Sequence, residues 1–256
     1  MRPLGSSSAP GALGLSPYAT PADVQARLLG APGRAAGWAA LLGNELEPLL
    51  RRLAGEALGA ELTPGPPYGA APWPVAEHQI SHPDAHYPAE GGLRLVELKL
   101  VTDWDGWGAD WPRPDYRIQV AHQLEARHPG GLELVAAVLY AVHRDTGESR
   151  LYHLPRTAAG PRLVQRLGDW YDAHVVHARP VPPVARPTYL PAAKGPRHYV
   201  ETLEARDLVA ALRDAQSAMD AAEARVAAAR AAVLALVGDA DGVTVGGRPV
   251  ATHHAQ

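Results

Sequence analysis

Apolar and polar positions alternate along residues 93–101, "LRLVELKLV", at the period of a β-strand. Leu95, Glu97 and Lys99 fall on one face, and Val96, Leu98 and Leu100 on the other. Three neighbouring stretches carry strand-like patterns as well: "VAEHQIS", "ELVAAVLYAV" and "SRLYHLP", the last two joined by the turn "HRDTGE". Helical spacing predicts a short helix over about 23–30 and a longer region over about 35–60. The longer one carries Trp38, Leu41, Leu42, Leu49, Leu50 and Leu53, and Pro48 predicts a break or restart inside it. Two more helices are expected at about 115–127 and 161–177, and "TPGPPYGAAPWP" reads as a loop. Strands with intervening helices predict an α/β core.

Beyond a Pro-rich linker at 178–196, Leu208, Leu212, Ala215, Met219, Ala222, Val226, Ala229 and Val233 form a heptad-like stripe on one long helix. The tail "VTVGGRPVAT" reads as a small hairpin turning at Gly246-Gly247. The expected division is therefore a core over 1–190 and an appendage over 191–256.

Composition narrows this only a little. With 256 residues, 46% hydrophobic and 20% charged, the chain fits one sizeable globular domain plus an appendage. Zero Cys excludes a disulfide framework, an iron–sulfur cluster and the common structural zinc sites, and is compatible with a cytoplasmic setting. The N-terminus lacks the continuous apolar stretch of a signal peptide, and no run reaches the length of a membrane span. A formal charge of −3 means that any nucleic-acid contact needs a local basic surface.

Lysine changes the picture more. Arginine fills nearly every basic position, and the only lysines are Lys99 and Lys194. Within "SHPDAHYPAEGGLRLVELKLV", Asp84 follows a proline at the end of a strand-like segment, and the next strand presents Glu97 and Lys99 together. Two carboxylates and the Leu98 carbonyl would offer hard oxygen ligands suited to Mg²⁺ or Mn²⁺. Lys99 beside them would orient an attacking water or stabilise its deprotonated form. The plainer account is a solvent-facing strand with a surface Glu–Lys pair and an unrelated loop Asp.

Pro-Asp, a spacer, then Glu-x-Lys is the pattern of the PD-(D/E)xK nuclease superfamily, and three further stretches extend the likeness. "GSSSAPGALGLSPYATPADV", "LLGNELEPLLRRLAGEALG" and "PDYRIQVAHQLEA" occur in the order of corresponding motifs in the lambda-exonuclease-like, YqaJ-type viral recombinase family, which the chain resembles over most of its length. That resemblance implies a restriction-endonuclease-like core with a central mixed β-sheet flanked by helices. It places Ser7 on the family's N-terminal Ser, Glu47 as the first acid, Gln119 as the site Gln and Gln123 as a second, DNA-contacting Gln. Two departures stand out: Ala85 follows Asp84 where the family usually has Gly, and "SSSAP" replaces "GSD", with Arg2 the sole candidate for the family's phosphate-binding Arg.

The resemblance implies a metal-dependent exonuclease that degrades one strand of linear double-stranded DNA 5′→3′. It also implies DNA ends as partner, a single-strand annealing protein of RecT type, and a homo-oligomer, a trimer by likeness. An endonuclease of the same superfamily and a non-catalytic DNA-binding or assembly module are the alternatives. Other features stay open. Helical phase does not choose between Glu45 and Glu47; Trp104, Trp107 and Trp111 are expected to pack or to stack on bases. His78, His82 and His86 step by four across Pro83 and are assigned no metal. Arg51, Arg52, Arg113, Arg117 and Arg156 could line a DNA track or be ordinary surface charges.

Overall fold

The computed structural model describes residues 1–32, 38–67 and 69–188, separate helical positions between 221 and 235, and residues 242–245 and 248–252. The chain divides into two compact units, Met1–Tyr199 and Val200–Gln256.

The first unit is built on a five-stranded mixed sheet. Its strands are β2 (Thr63–Pro64), β5 (Ala85–Ala89), β6 (Gly92–Val101), β7 (Leu134–His143) and β8 (Ser149–Pro155), in that spatial order. β5 and β6 form an antiparallel hairpin. β6 and β7 are parallel, which requires a crossover, and α4 (Pro114–Gln123) lies within it. β8 returns antiparallel to β7. A smaller sheet joins β1 (Leu4–Gly5), β4 (Gln79–Ser81) and β3 (Trp73–Ala76), with β1 parallel to β4.

Both faces of the large sheet are covered, which explains why β6 carries apolar residues on both of its faces. On one face α3 (Trp38–Leu58) sets Leu50 and Ala54 against Val96, Leu98, Val138 and Tyr140. On the other, Leu93, Leu95, Leu139 and Ala141 pack with Val120 and Leu124 at α4, and with Trp104 and Trp107. A third cluster ties the N-terminal segment to α5 (Ala159–Tyr171) through Leu4, Val24, Leu28, Leu167 and Tyr171. A mixed sheet between helical layers fits the restriction-endonuclease-like core expected above.

Several expectations need correction. α3 is one continuous helix with Pro48 inside it, and Leu50 and Ala54 beyond the proline hold it to the sheet. "VAEHQIS" is not one strand: the chain turns at Glu77-His78, where His78 takes φ 60°, and separates β3 from β4. The helix expected over 161–177 starts at Ala159 and finishes as a π-helical turn over Asp172–Val176. α4 ends at Gln123, short of the expected 127. The first 22 residues contain β1, a 3₁₀ turn at Ser6–Ser8, α1 (Ala9–Ala12) and the start of α2 (Pro21–Leu28).

In the second unit β9 (Gly242–Val245) and β10 (Arg248–Thr252) pair antiparallel, as the tail pattern predicts. Gly246-Gly247 and every member of the heptad-like stripe except Ala229 lie outside the described residues. Among the described residues no helix is long and apolar enough to cross a membrane.

Candidate active site

Glu97 is no surface charge. Odd-numbered residues of β6 face α4, so Glu97 sits in the row of Leu93 and Leu95 and is only 2% exposed. A carboxylate in that position needs donors, because an unpaired buried charge costs several kcal/mol. Three side chains supply them. Lys99, two residues along the same face, and Gln119 both donate to Oε1, the latter at 2.5 Å. Gln123 donates to Oε2 at 2.6 Å. Gln119 and Gln123 are one helical turn apart, so the inner face of α4 straddles the carboxylate.

Gln123 is 1% exposed and its Oε1 has no hydrogen-bond partner among the described residues. The carboxamide is turned by the stronger, charge-assisted bond to Glu97, at the expense of that oxygen. Gln123 thus faces Glu97.

The β5–β6 register pairs Ala85 with Val96, and so carries Asp84 opposite Glu97. One residue before β5 begins, Asp84 Oδ2 accepts the Leu98 N–H at 2.7 Å, taking over as ladder acceptor. In a strand the N–H and C=O of one residue point to the same edge, so the Leu98 carbonyl also faces the Asp84 side. Gly65 fixes this corner from behind. Its N–H donates to the Asp84 carbonyl at 3.0 Å, and a Cβ there would run into the Pro83 carbonyl oxygen.

Burial and the neighbouring Glu97 push the Asp84 carboxyl well above the usual carboxylate range; Lys99 and the Leu98 N–H oppose this, and Glu47 adds to it. Burial alone would lower the Lys99 ammonium, but the attraction of Glu97 and Asp84 outweighs it and holds Lys99 above its ordinary value. Lys99 therefore stays protonated near neutrality and serves as a charged donor rather than as a base. Its ammonium lies 5.4 Å from the centre of the Tyr116 ring.

Glu47, on α3, is half-buried, bonded to Arg51 at 3.2 Å, and close enough for its charge to act on Asp84. Glu45 is exposed. Among the described residues no three His, Asp or Glu side chains cluster closely enough to hold a metal ion. The donor set is thus two carboxylates and a backbone carbonyl, with Glu47 further out. It fits a hard divalent cation: all donors are oxygens, Asp84 Oδ1 takes no hydrogen bond among the described residues, and a cation would relieve the repulsion between Asp84 and Glu97.

Ser7 and Arg2 are not brought to this cluster by any described contact. Ser7 is exposed, and the serine that turns inward is Ser6. Ser6 Oγ meets His122 Nδ1 at 2.8 Å, His122 Nε2 meets Gln79 Oε1 at 2.8 Å, and Gln79 Nε2 donates to the Val164 carbonyl at 3.0 Å. Burial holds His122 down to about 4, so the ring is neutral within this chain. The exposed Arg2 contributes its backbone, accepting the Tyr171 hydroxyl at 3.0 Å. Nothing in the sequence pattern pointed to Ser6, His122, Gln79 or Gly65; each acts through partners distant in the chain.

The arginines mostly meet acids: Arg52 with Glu56, Arg156 with Glu125 and Glu133, and buried Arg113 in a two-pronged bond to Asp115 at 2.8 and 3.0 Å. Trp104 and Trp107 pack in the core, whereas Trp111 is exposed with the Arg117 guanidinium 4.8 Å from its ring centre.

No protein-family model and no curated protein matches the chain. Among solved structures, it is similar to LHK-Exo in complex with dAMP, at 16% identity and a TM-score of 0.48 over 68% of this chain and 87% of that one. It is also similar to a phage-related exonuclease from Haemophilus somnus 129PT, at 13% identity and a TM-score of 0.47 over 70% of this chain and 97% of that one. At these values each is a similarity of chain trace and assigns no role to any residue here.

Proposed function

We propose that this protein is a metal-dependent DNA phosphodiesterase. The observation that supports it most is the meeting of Glu97, Lys99, Gln119 and Asp84 at one point of a doubly covered sheet. Burying a carboxylate there is costly, and a plain apolar residue would fill the row at least as well. Asp84, Glu97 and the Leu98 carbonyl would hold Mg²⁺ or Mn²⁺, with Glu47 reaching it through water. That ion would supply Lewis-acid stabilisation of the phosphate and a lowered pKa for water. Lys99, kept protonated, would place its charge against the attacking oxygen and the phosphate. Gln119 uses Nε2 on Glu97, so its Oε1 is the atom that would accept from the attacking water. Gln123 and Gly65 would position Glu97 and Asp84 respectively.

The finer reading is an exonuclease acting 5′→3′ on linear double-stranded DNA, in phage-type recombination with an annealing protein of RecT type and as a homo-oligomer. The resemblance of the ordered motifs is what supports it. A second reading, a non-catalytic DNA-binding module, is favoured by one observation: both Glu97 oxygens are already engaged by donors.

The test is a time course with purified protein on linear and covalently closed duplex, with Mg²⁺ and with chelator. Mg²⁺-dependent loss of linear DNA with circles left intact is expected. Nicked or linearised circles would move the reading to an endonuclease with the same chemistry. Metal-independent binding without hydrolysis would support the module, and neither binding nor hydrolysis would overturn the proposal.

A further inference from the structure

One exposed ring near this site is tied to a buried side chain. Tyr18 is 65% exposed, yet its hydroxyl accepts a hydrogen bond at 2.9 Å from Arg113, a buried guanidinium. Arg113 is in turn fixed by its two-pronged bond to the buried Asp115 at the start of α4. Its guanidinium lies 5.3 Å from the centre of the Tyr18 ring and 4.7 Å from that of Tyr116. Tyr116 itself stands 5.4 Å from the Lys99 ammonium. A chain of contacts thus runs from the candidate catalytic lysine, through partly buried Tyr116 and buried Arg113, to the exposed ring of Tyr18.

A solvent-exposed tyrosine gains little stability from such an arrangement, while ordering it costs side-chain entropy. An exposed ring anchored at its hydroxyl loses little further freedom on meeting a flat ligand. Each step from Lys99 to Tyr18 is 4.7–5.4 Å, and a strand of duplex DNA covers such a path in a few base steps of about 3.4 Å. Of these groups the accessible ones, Lys99 in part and Tyr18, offer a charge and a ring to a stacked, negatively charged strand.

We infer that Tyr18 is a stacking contact for a nucleobase of the substrate strand, a few nucleotides from the bond that is cut. This rests on the DNA-hydrolase reading above. Arg113 is a positioning residue: it sets the ring and does not itself meet the base. Because every nucleobase offers a π-face, the contact tolerates any sequence.

The test compares the full-length protein with Tyr18→Ala, Tyr18→Leu and Tyr18→Phe. The readouts are equilibrium binding of a short single-stranded oligonucleotide and steady-state hydrolysis of linear duplex. Tyr18→Ala and Tyr18→Leu are expected to bind about 5- to 150-fold more weakly, with the loss in KM rather than kcat. Tyr18→Phe, which keeps the ring, should stay within about threefold. An oligonucleotide with an abasic residue at the stacked position should bind wild type and Tyr18→Ala alike.

Unchanged binding and KM in Tyr18→Ala, beside a wild type that binds and cuts DNA, would overturn the stacking assignment alone. So would a Tyr18→Ala defect that persists undiminished at every abasic position. Tyr18→Ala that dissociates a wild-type oligomer while leaving DNA affinity intact would also overturn it, by making the ring a contact between copies. A wild type that neither binds nor cuts DNA would bring down the DNA-hydrolase reading as well.

Discussion

Asp84 carries the least comfortable charge in the site. Burial and Glu97 raise its pKa, so the folded protein holds that proton more tightly than the unfolded chain does. The sign follows: stability is fullest in acid and is lost as pH rises from the ordinary value of 3.8 through the raised one. Asp84→Asn removes the charge and keeps an acceptor for the Leu98 N–H. Without divalent cation, the variant should melt higher than wild type near neutral pH, by about 2–4 °C per kcal/mol recovered. The two should converge toward pH 4, and Mg²⁺ should raise the wild type more than the variant. Thermal melts from pH 4 to 8, with and without Mg²⁺, check this; a variant less stable than wild type at neutral pH would contradict it. The residues involved were partly legible in the sequence. A charged pair at i, i+2 in an apolar strand marked Glu97 and Lys99, and the preceding Pro-Asp marked Asp84. Burial of Glu97 was not legible, since alternation alone does not say which face meets water.

Elements explain what single residues could not announce. α4 carries Gln119 and Gln123 one turn apart, which the helical period exposes, but only the crossover between parallel β6 and β7 brings that face onto Glu97. Pro48 showed the opposite failure. Local propensity predicts a break, and packing of α3 against the sheet overrides it. Gly65 lay unnoticed in a Gly/Pro-rich loop because its role depends on Pro83, nearly twenty residues on. Gly65→Ala should force the corner that holds Asp84 apart, since its Cβ meets backbone rather than a flexible side chain. About 1–3 kcal/mol of stability should be lost. Hydrolysis at a temperature where the variant remains folded should fall more than about tenfold. A variant matching wild type in both melting and hydrolysis would show that the corner yields freely.

For the whole molecule, a sheet covered on both faces holds a buried ion cluster in which Lys99 is the partly exposed member. Strand–helix alternation made the α/β class readable. The N-terminal segment was not, because β1 is two residues long and pairs with β4 from Leu4 to Gln79, a contact no local pattern encodes. The central claim is that Asp84, Glu97 and Lys99 form a working DNA-hydrolysing centre. Its most direct test is the initial rate of Mg²⁺-dependent cleavage of linear duplex by wild type and by Lys99→Ala, each confirmed folded by its melting transition. The account predicts clear cleavage by wild type and a fall of about 10²-fold or more in kcat for the variant. Equal rates in the two proteins, or a folded wild type that cleaves nothing with Mg²⁺ or Mn²⁺, would contradict it.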